Sequence, residues 1–337
     1  LILQEHLLNK FSVIISTDKR GLEFFDKEIN EYVIIDTPRI KNLIFFPFNL
    51  IAFLFLIIKS YFLLKKEKIV KVFSVGGYMS FPITFAAKLL NLEIYLIEPN
   101  QVLGRANKFF LKSCKKIFCY SENIKNLSND FKEKITIINP LVRKNIYKSD
   151  LSYQNNQSNK FTLLVVGGSQ GANIFDKKLK NLIVNISKTN QIKIIQQTNE
   201  RNISSLRNFY LDNNIENKIF SFDNNFSENL KGVDLCITRG GASTLAELSL
   251  LNIPFIAVPL PSSRDNHQLE NANFYKNKDC CWVIEQKFFE RKIEEVLKDI
   301  IEKKSDFLKK KENLKKLNYQ NTWINVNQKI LETINEN

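Results

Sequence analysis

The sequence predicts an α/β fold built on parallel β-sheets, arranged as two halves of like architecture. Three observations predict it. Short apolar runs alternate with helical patterns along most of the chain, the signature of βαβ units. Glycine turns follow several of these runs directly and open helices, at Gly76-Gly77, Gly167-Gly168 and Gly240-Gly241. The length of 337 residues suits two domains of ordinary size, and the polar, pattern-free stretch at 149–160 reads as the linker between them.

Taken in order, the first half offers strands at 11–16, 32–36, 70–74, 93–97, 116–119 and 135–138. Residues 1–8 read as the end of an amphipathic helix. An α/β domain does not normally begin in mid-unit, so the chain reads as truncated at its N-terminus. The second half offers strands at 161–166, 191–196, 219–222, 233–238, 255–258 and 281–284, followed by a charged helical tail. The expected division is 1–148 for the first domain, 161–318 for the second, and a helix in 319–337 that packs back on the first.

Residues 43–64 stand apart. The run from 50 to 58 is wholly apolar, with lysines at 59, 65, 66 and 68. Three readings are open. A membrane span wants about 20 clean apolar residues, and this run is shorter and interrupted by Pro47. A buried core helix is the second reading. A helix whose apolar face enters a membrane interface, with Phe53, Phe55 and Leu56 as the docking patch, is the third. The net charge of +14 favours an anionic partner, and with it the third. Nucleic acid is not that partner: no nucleic-acid motif occurs and the lysines form no interleaved aromatic–basic patch. Five cysteines without a C-x-x-C pair suggest reduced thiols, and two histidines make a His-based metal site improbable.

The stretch from Thr238 to Asn273 carries the clearest chemistry. An apolar strand ends in Gly240-Gly241, and a helix opens at Ala242. Such a turn offers unpaired backbone N–H groups at the positive end of the helix dipole, which suits a phosphate. Ser243 and Thr244 add hydroxyls. Glu247, one turn further on, is placed to accept hydrogen bonds from a pair of ribose hydroxyls. The plain alternative is a helix cap with an ordinary surface carboxylate. Gly167-Gly168-Ser169-Gln170-Gly171-Ala172 makes a second turn of this kind. It has neither the Gly-Lys-Ser/Thr of a P-loop nor the dinucleotide G-x-G-x-x-G spacing.

Together the motifs resemble the MurG family of peripheral membrane glycosyltransferases. The matching stretches are Val75-Gly76-Gly77-Tyr78-Met79-Ser80, Glu98-Pro99-Asn100 with Gly104 and Asn107, Asn139-Pro140-Leu141-Val142-Arg143, Gly167 through Ala172, Arg239 through Glu247, and His267-Gln268 with Asn271-Ala272. They occur in family order and cover nearly the whole chain. The resemblance implies a GT-B fold, two Rossmann-like domains facing across a cleft. It also implies inverting transfer of N-acetylglucosamine from UDP-GlcNAc to lipid I, giving lipid II, with no metal and no cofactor. The setting it implies is the cytoplasmic face of the bacterial plasma membrane, on an anionic surface.

By the same resemblance, Glu247 holds the ribose, while Ser169 and Ala242-Ser243-Thr244 bind the diphosphate, lined by Leu245 and Ala246. The backbone at Asp223 meets the uracil, and Gln268 reaches the sugar. Asn100 and Arg143 come from the first domain, and Gly76-Gly77-Tyr78 receives the lipid I diphosphate. Two departures matter. The family's Gly-Gly-Thr-Gly-Gly-His loop is absent and belongs upstream of Leu1, and the usual His-Glu-Gln-Asn reads Ile97-Glu98-Pro99-Asn100. Of what remains, Glu98 is a candidate general base by position. Two alternatives stay open: another GT-B transferase using UDP-GlcNAc, and a truncated donor-binding module without turnover.

Overall fold

The computed structural model describes residues 1–24, 31–37, 46–148, 160–221, 223 and 226–336, with side chains left undescribed at 23, 24, 46–49 and 168–172. Most of the expected linker, 149–159, therefore lies outside the described residues, as do residues 43–45 of the apolar segment and the side chain of Ser169. The chain divides into two units, Leu1–Leu141 with Trp323–Asn337, and Val142–Thr322.

In the first unit, β1 (Ile15–Thr17) and β2 (Tyr32–Ile34) pair in parallel. A separate parallel sheet has the order β3 (Lys71–Ser74), β4 (Glu93–Glu98), β5 (Lys116–Cys119) and β6 (Ile135–Ile137). Successive side chains of a strand point to opposite faces, and β4 shows what that does here. Ile94 and Leu96 enter a core with Ile57, Leu64, Ala86 and Phe110. These come from α2 (Phe46–Lys66), α3 (Phe81–Leu89) and α4 (Arg105–Phe110). Tyr95 and Ile97 enter another core with Leu7 of α1 (Ile2–Leu7) and Val326, Ile330 and Ile334 of α12 (Trp323–Asn335). Both faces of the sheet are covered, which is why its strands read as near-continuous apolar runs. The end of the chain is thus part of the first unit's core, and His6 stacks on Trp323 with ring centroids 3.6 Å apart.

α2 buries one stripe and exposes another. Ile57, Ser60 and Leu64 are buried, at the three- and four-residue spacing of one helix face. Ile51, Leu54, Phe55, Ile58 and Phe62 are all more than half exposed on the other side. Among the described residues no helix is long and apolar enough to cross a membrane.

The second unit holds a six-stranded parallel sheet: β7 (Phe161–Val166), β8 (Ile192–Gln197), β9 (Glu216–Phe220), β10 (Leu235–Thr238), β11 (Phe255–Ala257) and β12 (Cys281–Val283). Its order is β12-β11-β10-β7-β8-β9. One face packs on α6 (Gly168–Ser187), α7 (Ile203–Asp212) and α10 (Phe289–Lys303), through Phe175, Leu179, Tyr210 and Leu297. The other packs on α5 (Lys144–Lys148), α8 (Ala242–Leu250), α9 (His267–Lys276) and α11 (Ser305–Leu317), through Ile146, Leu245, Ala272 and Leu314. β9 begins and ends earlier than the expected 219–222. It lies on the sheet edge, where Glu216 and Lys218 are exposed and break the apolar pattern.

Candidate active site

The strand order of the second unit locates a site before any side chain is considered. From β7 the chain proceeds outward through β8 and β9, and from β10 it proceeds outward the other way through β11 and β12. The order reverses between β7 and β10, and in open parallel sheets the loops at the carboxyl ends of such a switch point are where ligands bind. Those loops are Gly167-Gly168 and Arg239-Gly240-Gly241.

At the second loop, Gly241 is the N-cap of α8 and offers no side-chain cap. The first α8 hydrogen bond runs from Leu245 N–H to Gly241 C=O. Helix geometry therefore leaves the N–H groups of Ala242, Ser243 and Thr244 without an intrahelical acceptor, directed outward at the positive end of the helix. Ser243 is exposed beside them. Leu245 and Ala246 are almost fully buried in the core, so their side chains anchor α8 rather than face a ligand.

Gly240 has to be glycine because of what lies against it. A Cβ there would sit 2.1 Å from the Gln268 carbonyl oxygen, so the β10–α8 turn and α9 are in direct contact. Gln268 stitches this contact through its Oε1, which accepts from Gly240 N–H at 3.3 Å and Leu260 N–H at 2.9 Å. The Gln268 amide nitrogen is left as the donor end. Asn271 is buried and donates to Gly240 C=O at 3.0 Å, so it holds the turn. His267 Nδ1 lies 2.8 Å from Arg264 C=O, closing the turn that precedes α9.

Glu247 is buried one turn into α8, and its partner is Arg143. Arg143 Nε donates to Glu247 Oε1 at 2.7 Å and Nη2 to Oε2 at 2.8 Å, a bidentate pair. The guanidinium also lies over Phe226, 5.7 Å from its ring centroid. Arg143 stands in the second unit, immediately before α5, whose Ile146 enters the same core as α8. The expectation that Arg143 comes from the first domain is therefore corrected: Val142 packs into the second unit's core, and the chain crosses between Leu141 and Val142. Each Glu247 oxygen has two lone-pair directions and spends one on Arg143, which leaves one on each for further donors. Asp223 accepts from Asn229 Nδ2 at 2.7 Å, beyond the end of β9.

The first unit holds a second cluster. Gly76 and Gly77 follow β3 with φ of +78° and +82°, the left-handed region that glycine tolerates. Ser80 donates toward the carbonyls of both, and Ser74 Oγ accepts from Gly76 N–H at 3.3 Å. A Cβ on Gly76 would meet the Asn107 amide at 3.1 Å. Asn107 in turn donates to Glu98 Oε2 at 3.0 Å. Glu98 also accepts from Gly104 N–H at 2.7 Å and from the backbone and side-chain amides of Asn100 at 3.2 and 3.1 Å. It is 2% exposed. Both oxygens of Glu98, the general-base candidate by position, are thus engaged by neighbouring donors, and the carboxylate organises Asn100, Gly104 and Asn107.

Of the expected membrane residues, Phe55 faces outward. Phe53 instead packs on Phe81, centroids 5.3 Å apart, and Leu56 is half-buried. The outward stripe is Ile51, Leu54, Phe55, Ile58 and Phe62. The sequence reading also missed Arg20, which lies against Tyr78, and Asp18, which holds Arg20. Arg20 hydrogen-bonds the Tyr78 hydroxyl and pairs with Asp18. The signal for them was slight, a charged triplet after a short strand.

Known proteins resemble the chain over its whole length. Residues 162–322 match the glycosyltransferase family 28 C-terminal domain, and residues 3–119 match the N-terminal domain of the same family. A relative from Pelagibacter ubique (strain HTCC1062) is 46% identical, covering 100% of this chain and 94% of its own length. It is named UDP-N-acetylglucosamine--N-acetylmuramyl-(pentapeptide) pyrophosphoryl-undecaprenol N-acetylglucosamine transferase. The chain belongs to the MurG family of glycosyltransferase family 28. A relative of the same name from Rickettsia bellii (strain RML369-C) is 32% identical over 84% of this chain and 80% of its own. The crystal structure of Acinetobacter baumannii MurG aligns with a TM-score of 0.76 at 20% identity, over 100% of this chain and 94% of that one. The MurG fold, GT-B with two α/β domains on parallel sheets, is therefore the fold of this chain. The same fold serves other chemistry. A UDP-GlcNAc 2-epimerase from Neisseria meningitidis, bound to UDP-GlcNAc, aligns with a TM-score of 0.66 at 14% identity over 100% of this chain and 95% of that one. Function has to be argued from the site.

Proposed function

We propose that the protein transfers N-acetylglucosamine from UDP-GlcNAc to lipid I, with inversion, making lipid II for peptidoglycan. One observation of geometry carries the reading: Glu247, clamped by Arg143, stands one turn inside the open N-terminus of α8. The two remaining lone pairs of the carboxylate match the two hydroxyls of a ribose, and the N–H groups of Ala242, Ser243 and Thr244 match a diphosphate. A nucleoside diphosphate then lies across one turn of helix, with Ser169, in the first turn of α6, contributing to the diphosphate and the backbone at Asp223 to the uracil. The Gln268 amide donates to a sugar hydroxyl. As the glycosidic bond breaks, negative charge grows on the UDP leaving group, where the α8 N–H groups stabilise it without reorganising.

The first unit serves the acceptor. The Gly76-Gly77-Tyr78 turn takes the lipid I diphosphate, supported from behind by Asn107 and Glu98. The outward stripe of α2, with exposed Lys59, Lys65, Lys66 and Lys68 nearby, docks peripherally on the anionic cytoplasmic face of the plasma membrane. Nucleic acid has no part in this reading. Inverting attack needs a base for the acceptor hydroxyl, and Glu98 is committed elsewhere.

The test is mass-spectrometric detection of a lipid II analogue from purified protein, UDP-GlcNAc and a lipid I analogue. Product that forms with the wild type and falls in Glu247→Ala at limiting UDP-GlcNAc supports the function. No product from the wild type, under conditions where it binds UDP-GlcNAc, refutes it.

A further inference from the structure

We infer that Arg20, seated on the buried carboxylate of Asp18, is a positioning residue for the acceptor turn. The inference rests on the proposed acceptor role of Gly76-Gly77-Tyr78. Two adjacent glycines in the left-handed region make this turn intrinsically soft, because glycine loses more backbone freedom on ordering than other residues. Its inner side is tied by Ser74 and Ser80. Its outer side, at Tyr78 and Met79, lies against the loop that follows β1. There Arg20 donates from Nη2 to the Tyr78 hydroxyl and to Met79 Sδ at 3.3 Å, and its guanidinium lies 5.8 Å from the Tyr78 ring centroid. Thr37, beyond β2, reaches the Met79 carbonyl at 3.5 Å.

What makes Arg20 a fixed strut is Asp18. The Arg20 side chain is 44% exposed, and an exposed arginine ordinarily samples many rotamers. Asp18 is 1% exposed, and its Oδ1 accepts from Gly21 N–H at 2.9 Å. Its Oδ2 accepts from Arg20 Nε at 2.6 Å. The buried carboxylate is thus locked in its own turn and in turn locks the guanidinium plane, which presents Nη2 to Tyr78. None of these bonds uses Nη1. Arg20 therefore sets where Tyr78 stands relative to Gly76 and Gly77, and it brings a cation to the edge of a turn whose substrate is a diphosphate. Lysine cannot replace it, because a point charge cannot hold Asp18 and Tyr78 together in one plane.

The experiment measures steady-state transfer with UDP-GlcNAc and a lipid I analogue varied in turn, on the full-length protein. Variants are Arg20→Ala, Arg20→Lys and Tyr78→Phe, and hydrogen exchange is followed at residues 76–79. Removing Arg20 raises KM for the lipid I analogue about tenfold, the loss expected of one charge-assisted hydrogen bond, and leaves KM for UDP-GlcNAc within about twofold. Arg20→Lys stays close to Arg20→Ala, Tyr78→Phe moves the same constant, and exchange at 76–79 quickens while the rest of the first unit is unchanged. Tyr78→Phe leaves the Asp18–Arg20 pair in place, so it reads the loop without unburdening a buried carboxylate. An unchanged acceptor KM in folded Arg20→Ala overturns the inference, as does an equal rise in both constants. A wild type that binds UDP-GlcNAc but transfers to no lipid I analogue fails earlier and overturns the acceptor reading itself, so the two failures are told apart by the wild-type measurement.

Discussion

Replacing Arg143 by lysine isolates the part of the donor site that depends on geometry rather than charge. The wild-type guanidinium meets both Glu247 oxygens at 2.7 and 2.8 Å. The Glu247 side chain is 7% exposed and that of Arg143 33%. Lysine keeps the cation but makes one of these bonds at a time. A hydrogen bond to a charged group contributes about 1.5–3 kcal/mol, and the partial exposure of Arg143 puts the loss at the lower end, near 1.5 kcal/mol. With Glu247 no longer held in one plane, affinity for UDP-GlcNAc falls about tenfold. Arg143→Ala goes further. It leaves a buried carboxylate without its cation, which in a fully buried pair costs about 3–5 kcal/mol and here, after the discount for exposure, about 2–3 kcal/mol of folding stability. Isothermal titration with UDP-GlcNAc and urea unfolding measure the two effects. If Arg143→Ala binds UDP-GlcNAc as tightly as the wild type or more tightly, the pair blocks Glu247 instead of aiming it, and the reasoning fails.

Gly240→Ala forces a Cβ to within 2.1 Å of the Gln268 carbonyl oxygen, so α9 has to move. We expect about 3 kcal/mol of destabilisation in urea unfolding together with weaker donor binding, whereas a shift within experimental error would mean that this contact is not tight. Replacing Ile51, Phe55 and Ile58 by serine abolishes flotation with anionic vesicles and spares the melting temperature, because these side chains face outward. Replacing Phe53 and Ile57 instead lowers stability, because they pack inward. Glu93 lies between Lys71 and Lys115, and its hydrogen bond from Lys71, above all, holds its pKa down to about 2 from an ordinary 4.5. A depressed carboxylate pKa adds stability that is fully present above the unfolded value and is lost as pH falls through the folded one. Glu93→Gln therefore lowers stability above pH 4.5 and converges with the wild type near pH 2, as acid titrations of both proteins would measure.

The sequence was most legible where burial is two-sided. β4, β5 and β7 are covered on both faces, and their apolar runs located them to within a residue or so. Legibility fell at the sheet edge, where β9 alternates exposed polar residues with few apolar ones and starts three residues before its apolar signal. The glycine turns were readable because positive φ at Gly76 and Gly77 and the close approach at Gly240 favour that residue type. What they touch was not. That Gly240 lies on Gln268, and that Gly76 backs on Asn107, are facts of tertiary packing. Glu98 shows the same limit: an isolated carboxylate after a strand reads as a base until its four hydrogen bonds are seen. Arg143 follows the last strand of the first unit so closely that sequence assigns it there, and the burial of Val142 and Ile146 puts it in the second unit. Asp18 and Arg20 show in the sequence only as part of a charged triplet, since a buried acid beside an exposed base looks like any charged loop.

The central claim is that Glu247 on its clamped helix turn binds the donor for transfer to a lipid-linked acceptor. Initial rates of GlcNAc transfer from UDP-GlcNAc to a lipid I analogue, compared between wild type, Glu247→Ala and Gln268→Ala, test it most directly. The account predicts lipid II formation by the wild type, with UDP-GlcNAc KM raised at least about tenfold in both variants and the acceptor KM little changed. Wild-type rates in both variants would contradict it.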